Sequence, residues 1–149
     1  YDMGKEIAKQ CSLTGVHINF APVVDINVNA NNPVINSRSF GEMKEQVANK
    51  SLAYMNGMQD NKVIACAKHF PGHGDTDTDS HLSLPIVKHS ASRIDSIELF
   101  PFKTLIDSGV GSIMVGHLFI PSLDNALNEF TFKPKSNVWS KSISPLGWA

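Results

Sequence analysis

Cysteine is nearly missing from this chain: there are two, Cys11 and Cys66, at a spacing that fits no zinc pattern. Both sit in apolar surroundings and read as buried free thiols, a common environment for unpaired cysteine. Neither sign of charge is in excess, since 13 Lys and Arg face 14 Asp and Glu for a formal net charge of -1. No basic stripe argues for nucleic acid, and no polybasic run argues for a membrane surface. The apolar runs are short and carry polar residues, so none spans a bilayer. A G-x-G-x-x-G turn and a GK[ST] element are both absent, which argues against dinucleotide and P-loop sites. There is no internal repeat and no low-complexity tract. The chain begins at Tyr1 rather than Met and shows no signal-peptide pattern. Such a start is compatible with a segment of a longer protein, and it leaves cytoplasm and periplasm both open.

What is present suits one globular domain: 149 residues, 42% hydrophobic and 18% charged. Residues 2–10 read as the end of a helix, with Met3, Ile7 and Cys11 at four-residue spacing and Gly15 placed to close it in a left-handed conformation. Residues 16–26, VHINFAPVVDI, are apolar and β-branched, as expected of a strand buried on both faces. Residues 27–36 hold five Asn and one Pro, which is loop chemistry. Ser39-Phe40-Gly41-Glu42 fits a capping box for a helix running to about Gln59. Val47, Ser51, Tyr54, Met55 and Met58 share one face of that helix, and the two Met read as core. Residues 63–70, VIACAKHF, form a second strand stopped by Pro71-Gly72, followed by a polar loop to about Leu84. A helical region over 91–107, interrupted near Pro101 and ended by Gly109 and Gly111, leads to a third strand at 112–120. Residues 125–149 have weak periodicity and contain Pro134 and Pro145, with Trp139 and Trp148 in polar or turn-like surroundings. A poorly ordered or docked, irregular tail is expected there.

The order α-β-α-β-α-β predicts a parallel sheet with crossover helices, in a doubly wound fold or a (β/α)8 barrel. All three strands end in chemically capable residues: Asp25, then Lys68 and His69, then His117. Barrel active sites collect at such C-terminal strand ends, which favours the barrel. Three strands cannot close one, so the fold class is α/β, a partial (β/α)8 TIM barrel.

The densest patch is KHFPGHGDTDTDSH, residues 68–81, with three His, one Lys and three Asp directly after a strand. Loops on rigid scaffolds are where catalytic groups concentrate. His69 and His73 have helical ligand spacing, but Pro71-Gly72 between them disfavours a helix, and Phe70 stands where a zincin has Glu. No metal is expected on that ground, and no cofactor. Gly72 and Gly74 are too few for a phosphate cradle. Asp79 and His81, one residue apart, point the same way on an extended loop. A carboxylate on one ring nitrogen would fix the tautomer and stabilise the imidazolium, fitting His81 to donate and later accept a proton. A turn simply capped by Asp79-Ser80 accounts for the spacing equally well.

The same residues resemble the signature loop of family 3 glycoside hydrolases of the β-N-acetylglucosaminidase subgroup. KH-F-PGHG, four variable residues and DSH match at every fixed position. INFAPVVDI resembles that family's third barrel strand, NSRSFGE its Arg-Ser-Phe-Gly element, and IMVGHL its fifth strand, so the likeness runs over about residues 16–123. The resemblance implies roughly strands 3 to 5 of the barrel over residues 1–124, with 125–149 a divergent tail. It implies His81 as acid/base with Asp79 as its partner, and Arg38, Lys68 and His69 as contacts to the sugar. It assigns Asp25 to ordering loops rather than to chemistry. His73 and His117 would be structural hydrogen-bonders, and His17 and His89 carry no signal. The implied reaction is retaining cleavage of terminal β-N-acetylglucosaminides through a covalent glycosyl-enzyme on an Asp nucleophile. A spent His is neutral where a spent Glu is an anion, which leaves phosphorolysis open beside hydrolysis.

The chain departs from the pattern downstream. No G-V-I-x-T-D-D-like stretch follows His117, and Asp124 lacks the motif. The family's earlier Gly-Arg-Val strand is also absent. The expected partners are therefore a carbohydrate and the missing barrel segments, with inactivity of the chain alone. A non-catalytic sugar-binding remnant and a β-glucosidase-type family 3 fragment are the competing readings.

Overall fold

The computed structural model describes residues 1–76 and 84–123. Asp79, His81, Asp124 and the tail at 125–149 thus lie outside the described residues. Helix α1 spans Asp2–Leu13, and Gly15 beyond it has φ 73, the left-handed conformation expected of it. The helix face that turns inward carries Gly4 and Ala8, while Met3 is 63% exposed and Ile7 and Cys11 are half-buried. Backbone proximity explains which face turns inward. A Cβ on Gly4 would lie 2.1 Å from the Tyr54 carbonyl oxygen, and one on Gly57 would lie 2.1 Å from that of Tyr1. Residues without side chains allow the helices to touch there, so the long side chains of α1 project past the crossing. Of the two free thiols, only Cys66 is buried.

Helix α2, Lys44–Gln59, starts five residues beyond Ser39, with Met43 as N-cap and no side-chain cap. The expected capping box is not formed because Ser39 is used elsewhere. Its hydroxyl lies 2.6 Å from the Asp25 carbonyl, and Gly41 N–H donates to it at 3.1 Å. The inward face is as expected, with Val47, Ser51, Tyr54, Met55 and Met58 all buried.

Strands β1 (Ile18–Asn19), β2 (Ile64–Phe70) and β3 (Ser112–Val115) form a parallel sheet in chain order. Strand β1 is much shorter than the apolar run at 16–26. Pro22 has no N–H to give the ladder, and the segment continues beside β2 through single bonds, Cys66 N–H to Ala21 O, Lys68 N–H to Pro22 O and Val24 N–H to Lys68 O. Nor is this run buried on both faces, since Ile18 is 45% and Phe20 59% exposed. As the sheet's margin, β1 has no described strand on its outer side. The β2–β3 register slips between Lys68 and Phe70, and β3 ends at Val115 rather than at Ile120. Phe119 instead meets residues 85–87, accepting from Val87 N–H and donating to Pro85 O.

The helical region at 91–107 is two helices, α3 (Ala91–Ser96) and α4 (Leu99–Asp107). The break falls at Ile97–Glu98 rather than at Pro101. Pro101 sits in the first turn of α4, where a missing N–H loses no intrahelical bond. Helices α1, α2 and α4 pack in a row, with α2 and α4 against β2. Met55, Met58, Ala65, Ala67, Phe70, Leu99, Phe102 and Leu105 lie in one buried cluster between them.

The Gly4 crossing gives a direct test. Gly4→Ala is expected to lower stability by about 1–3 kcal/mol, as forced overpacking does. Met3→Ala, one residue away but exposed, should stay within about 0.5 kcal/mol of wild type. Urea unfolding reads both, and equal midpoints for Gly4→Ala and wild type would contradict the packing.

Candidate active site

The C-terminal strand ends are organised by one buried carboxylate. Asp25 has a side chain with 0% exposure. Its Oδ2 accepts from His69 N–H at 3.0 Å and lies 2.8 Å from His69 Nδ1, and its Oδ1 accepts from His73 N–H at 2.7 Å. Burying a carboxylate costs several kcal/mol unless such donors compensate. The backbone that carries the rest of the patch is therefore held to the end of the β1 segment. The expectation that Asp25 orders loops agrees with these bonds.

The Asn-rich loop is laced to the same place. Asn32, fully buried, donates to His73 O at 2.7 Å and accepts from Val34 and Ile35 N–H at 2.9 and 2.7 Å. Asn29 donates to Thr76 O at 3.2 Å. Thr76 Oγ1 lies 2.6 Å from His73 Nδ1, so His73 is a structural hydrogen-bonder as expected. At Gly74 a Cβ would fall 1.8 Å from Ile26 O, a close approach that only glycine permits. His117 departs from expectation: it is exposed, with no hydrogen bond among the described residues.

Three expected sugar contacts come together here. Lys68 and His69 are consecutive at the end of β2, and Arg38 ends a short 3-10 turn, Asn36–Arg38, with Nη1 on Val34 O at 3.0 Å. The Lys68 ammonium is held below its ordinary pKa of 10.5, first by burial and then by the nearby Arg38 charge. With Nδ1 on the Asp25 carboxylate, Nε2 is the remaining ring nitrogen of His69. The catalytic pair expected from the sequence, Asp79 and His81, falls outside the described residues.

A second cluster, which sequence reasoning missed, joins the two sides of that interval. His89 Nε2 lies 2.5 Å from Asp75 Oδ2. Arg93 Nη2 lies 3.7 Å from Asp75 Oδ2 and 3.1 Å from Glu98 Oε1. Asp75, His89 and Glu98 also bring one potential ligand atom each within 4.8 Å of one another. Arg93 stands between the two carboxylates and already supplies the positive charge that a metal would bring.

The family model described as glycosyl hydrolase family 3 N terminal domain matches residues 1–138. Beta-hexosaminidase A of Pseudoalteromonas piscicida is 46% identical over 121 residues, covering 80% of this chain and 20% of that protein. The glycoside hydrolase family 3 β-N-acetylglucosaminidase of Paenibacillus sp. str. FPU-7 superposes with a TM-score of 0.82 at 43% identity, over 83% of this chain and 24% of its own. NagZ of Neisseria gonorrhoeae, solved with N-trifluoroacetyl-D-glucosamine, gives 0.77 at 36% identity, over 81% of this chain and 35% of its own. The chain thus spans between a fifth and about a third of these relatives. The likeness sets the doubly wound alternative aside: this is a partial α/β barrel.

Two tests follow. In Asp25→Asn an amide NH2 must face a backbone N–H, which should cost about 1–3 kcal/mol and speed amide exchange at His69 and His73. Unchanged exchange at both would remove Asp25 from its organising place. At Lys68 the fold opposes the ammonium while pH is below the lowered pKa, and the opposition ends as the proton leaves. Stability should therefore rise with pH between that lowered value and the ordinary 10.5, and Lys68→Gln should abolish the rise. A rise that persists in Lys68→Gln would assign it to another group.

Proposed function

The chain belongs to glycosyl hydrolase family 3, and on that premise we propose that its strand ends form the acid/base half of a β-hexosaminidase site. The observation that carries the reading is the Asp25 anchorage. It sets Lys68 and His69 at a strand tip beside Arg38, and it fixes the backbone that leads to Asp79 and His81. The substrate class proposed is a terminal β-N-acetylglucosaminide, in keeping with the ligand of the Neisseria gonorrhoeae relative and the name of the Paenibacillus one.

In this reading the cations and His69 hold sugar hydroxyls, and His81 donates its proton to the oxygen of the departing group. Asp79 keeps the imidazole in the donating tautomer and offsets its charge. The glycosyl group passes to an Asp nucleophile on another barrel segment, and His81 then takes a proton from the water that releases it. No Thr-Asp-Asp stretch follows His117 in this sequence, so the 149-residue chain alone supplies no nucleophile of the family's type.

The expected outcome is no turnover of an aryl N-acetyl-β-glucosaminide by the isolated chain. Turnover should appear when the chain is joined to flanking barrel segments of the Paenibacillus sp. enzyme. His81→Ala in that hybrid should cost about 10²–10⁴-fold in kcat, the range of general acid/base catalysis. Hydrolysis by the isolated chain, or a hybrid indifferent to His81→Ala, would overturn the assignment.

A further inference from the structure

The interval 77–83, which holds Asp79 and His81, is entered from Thr76 and left at Leu84. Both flanks are tightly held. On the entry side Thr76 is buried and bonded to His73 and Asn29. On the exit side Val87 N–H and Pro85 O pair with Phe119 at the end of the third strand segment. The Asp75–His89 contact runs from one flank to the other. Arg93, on α3, backs Asp75, and Glu98, only 5% exposed, backs Arg93. The Glu98 side chain also lies under the turn itself, where a Cβ on Gly72 would be 2.8 Å from Glu98 Cβ.

We infer that Asp75 and His89 are positioning residues for acid/base catalysis: their contact fixes the two flanks of 77–83 relative to each other, and Arg93 and Glu98 brace it. The inference rests on the reading of His81 given above. Neither Asp75 nor His89 has to touch sugar. Tying the ends of a segment lowers the entropy lost in holding its middle in one geometry. A proton donor displaced by about 1 Å loses on the order of 10²-fold in rate. The exposure of the contact separates this role from a purely structural one. His89, Arg93 and Asp75 have side chains 33%, 30% and 20% exposed, and none belongs to the buried apolar cluster. Partly exposed ion pairs contribute little to global stability. Losing this one should affect proton donation far more than folding.

The test uses the hybrid enzyme and aryl N-acetyl-β-glucosaminides whose leaving groups range from poor to 2,4-dinitrophenolate. His89→Ala is expected to lower kcat/KM, which reports the step in which the leaving group departs, by about 10–100-fold for the poorest leaving group and by less than about 3-fold for the best. His89→Gln, which keeps an N–H directed at Asp75, should recover most of the loss, and thermal midpoints should hardly differ. His81→Ala should show the same leaving-group pattern more steeply. A uniform loss across leaving groups, or none, in His89→Ala with the His81→Ala pattern intact would overturn the positioning role alone. Absence of the pattern in His81→Ala would overturn the acid/base reading and this inference with it. Stoichiometric divalent metal in the wild type that disappears in His89→Ala would replace the positioning role by a metal centre.

Discussion

A buried carboxylate with three donors around it holds this site together. Asp25 ends the first sheet segment, and its two oxygens take the backbone N–H groups of His69 and His73 and the ring nitrogen of His69. Without those donors the charge would be too costly to bury, and without the charge the donors would have no acceptor. The mutual requirement ties three segments into one rigid corner: the end of the β1 segment, the end of β2 and the turn after it. Ser39 extends the corner to the segment before α2 through the Asp25 carbonyl, and Asn32 extends it to the long loop at 27–36.

The proposed function follows from what this corner presents. Lys68 and His69 are offered at a strand tip, with Arg38 close enough to disfavour the Lys68 charge. Two cations and a ring nitrogen suit the hydroxyl-rich face of a sugar better than an apolar ligand. Among the described residues no strand lies on the outer side of β1 or β3, and Ile18, Phe20 and Val115 are exposed. In the proposed whole barrel further strands would cover these side chains and bring the nucleophile, which accords with a chain spanning at most about a third of the relatives compared.

Much of this was legible in the sequence because it is local. The alternation of helices and apolar strands gave the parallel sheet, and the buried face of α2 was visible in the spacing of Val47, Ser51, Tyr54, Met55 and Met58. Lys68, His69 and Arg38 were singled out through motif resemblance. The failures share one cause, competition by distant partners. Ser39 looked like a helix cap, but a carbonyl 14 positions back claims its hydroxyl. The spacing of Met3, Ile7 and Cys11 marked the helix, but it did not show that a close approach at Gly57 puts Gly4 and Ala8 inside. His89 carried no signal because its partner, Asp75, lies 14 residues away across the turn. Asn32 and Thr76 read as ordinary loop residues, and no local pattern shows that their polar groups meet. A break was expected near Pro101, but Pro101 belongs to the first turn of α4 and the break lies at Ile97–Glu98.

The central claim is that this corner receives an N-acetylglucosamine-type sugar. Titration of the ¹⁵N-labelled 149-residue chain with N-acetylglucosamine, followed by NMR, tests it most directly. The account predicts saturable shifts at the His69 ring and amide, the Lys68 amide and the Arg38 side chain, with the helical amides of α1 unmoved. Saturable shifts that leave Lys68, His69 and Arg38 untouched, or no shifts at any sugar concentration reached, would contradict it.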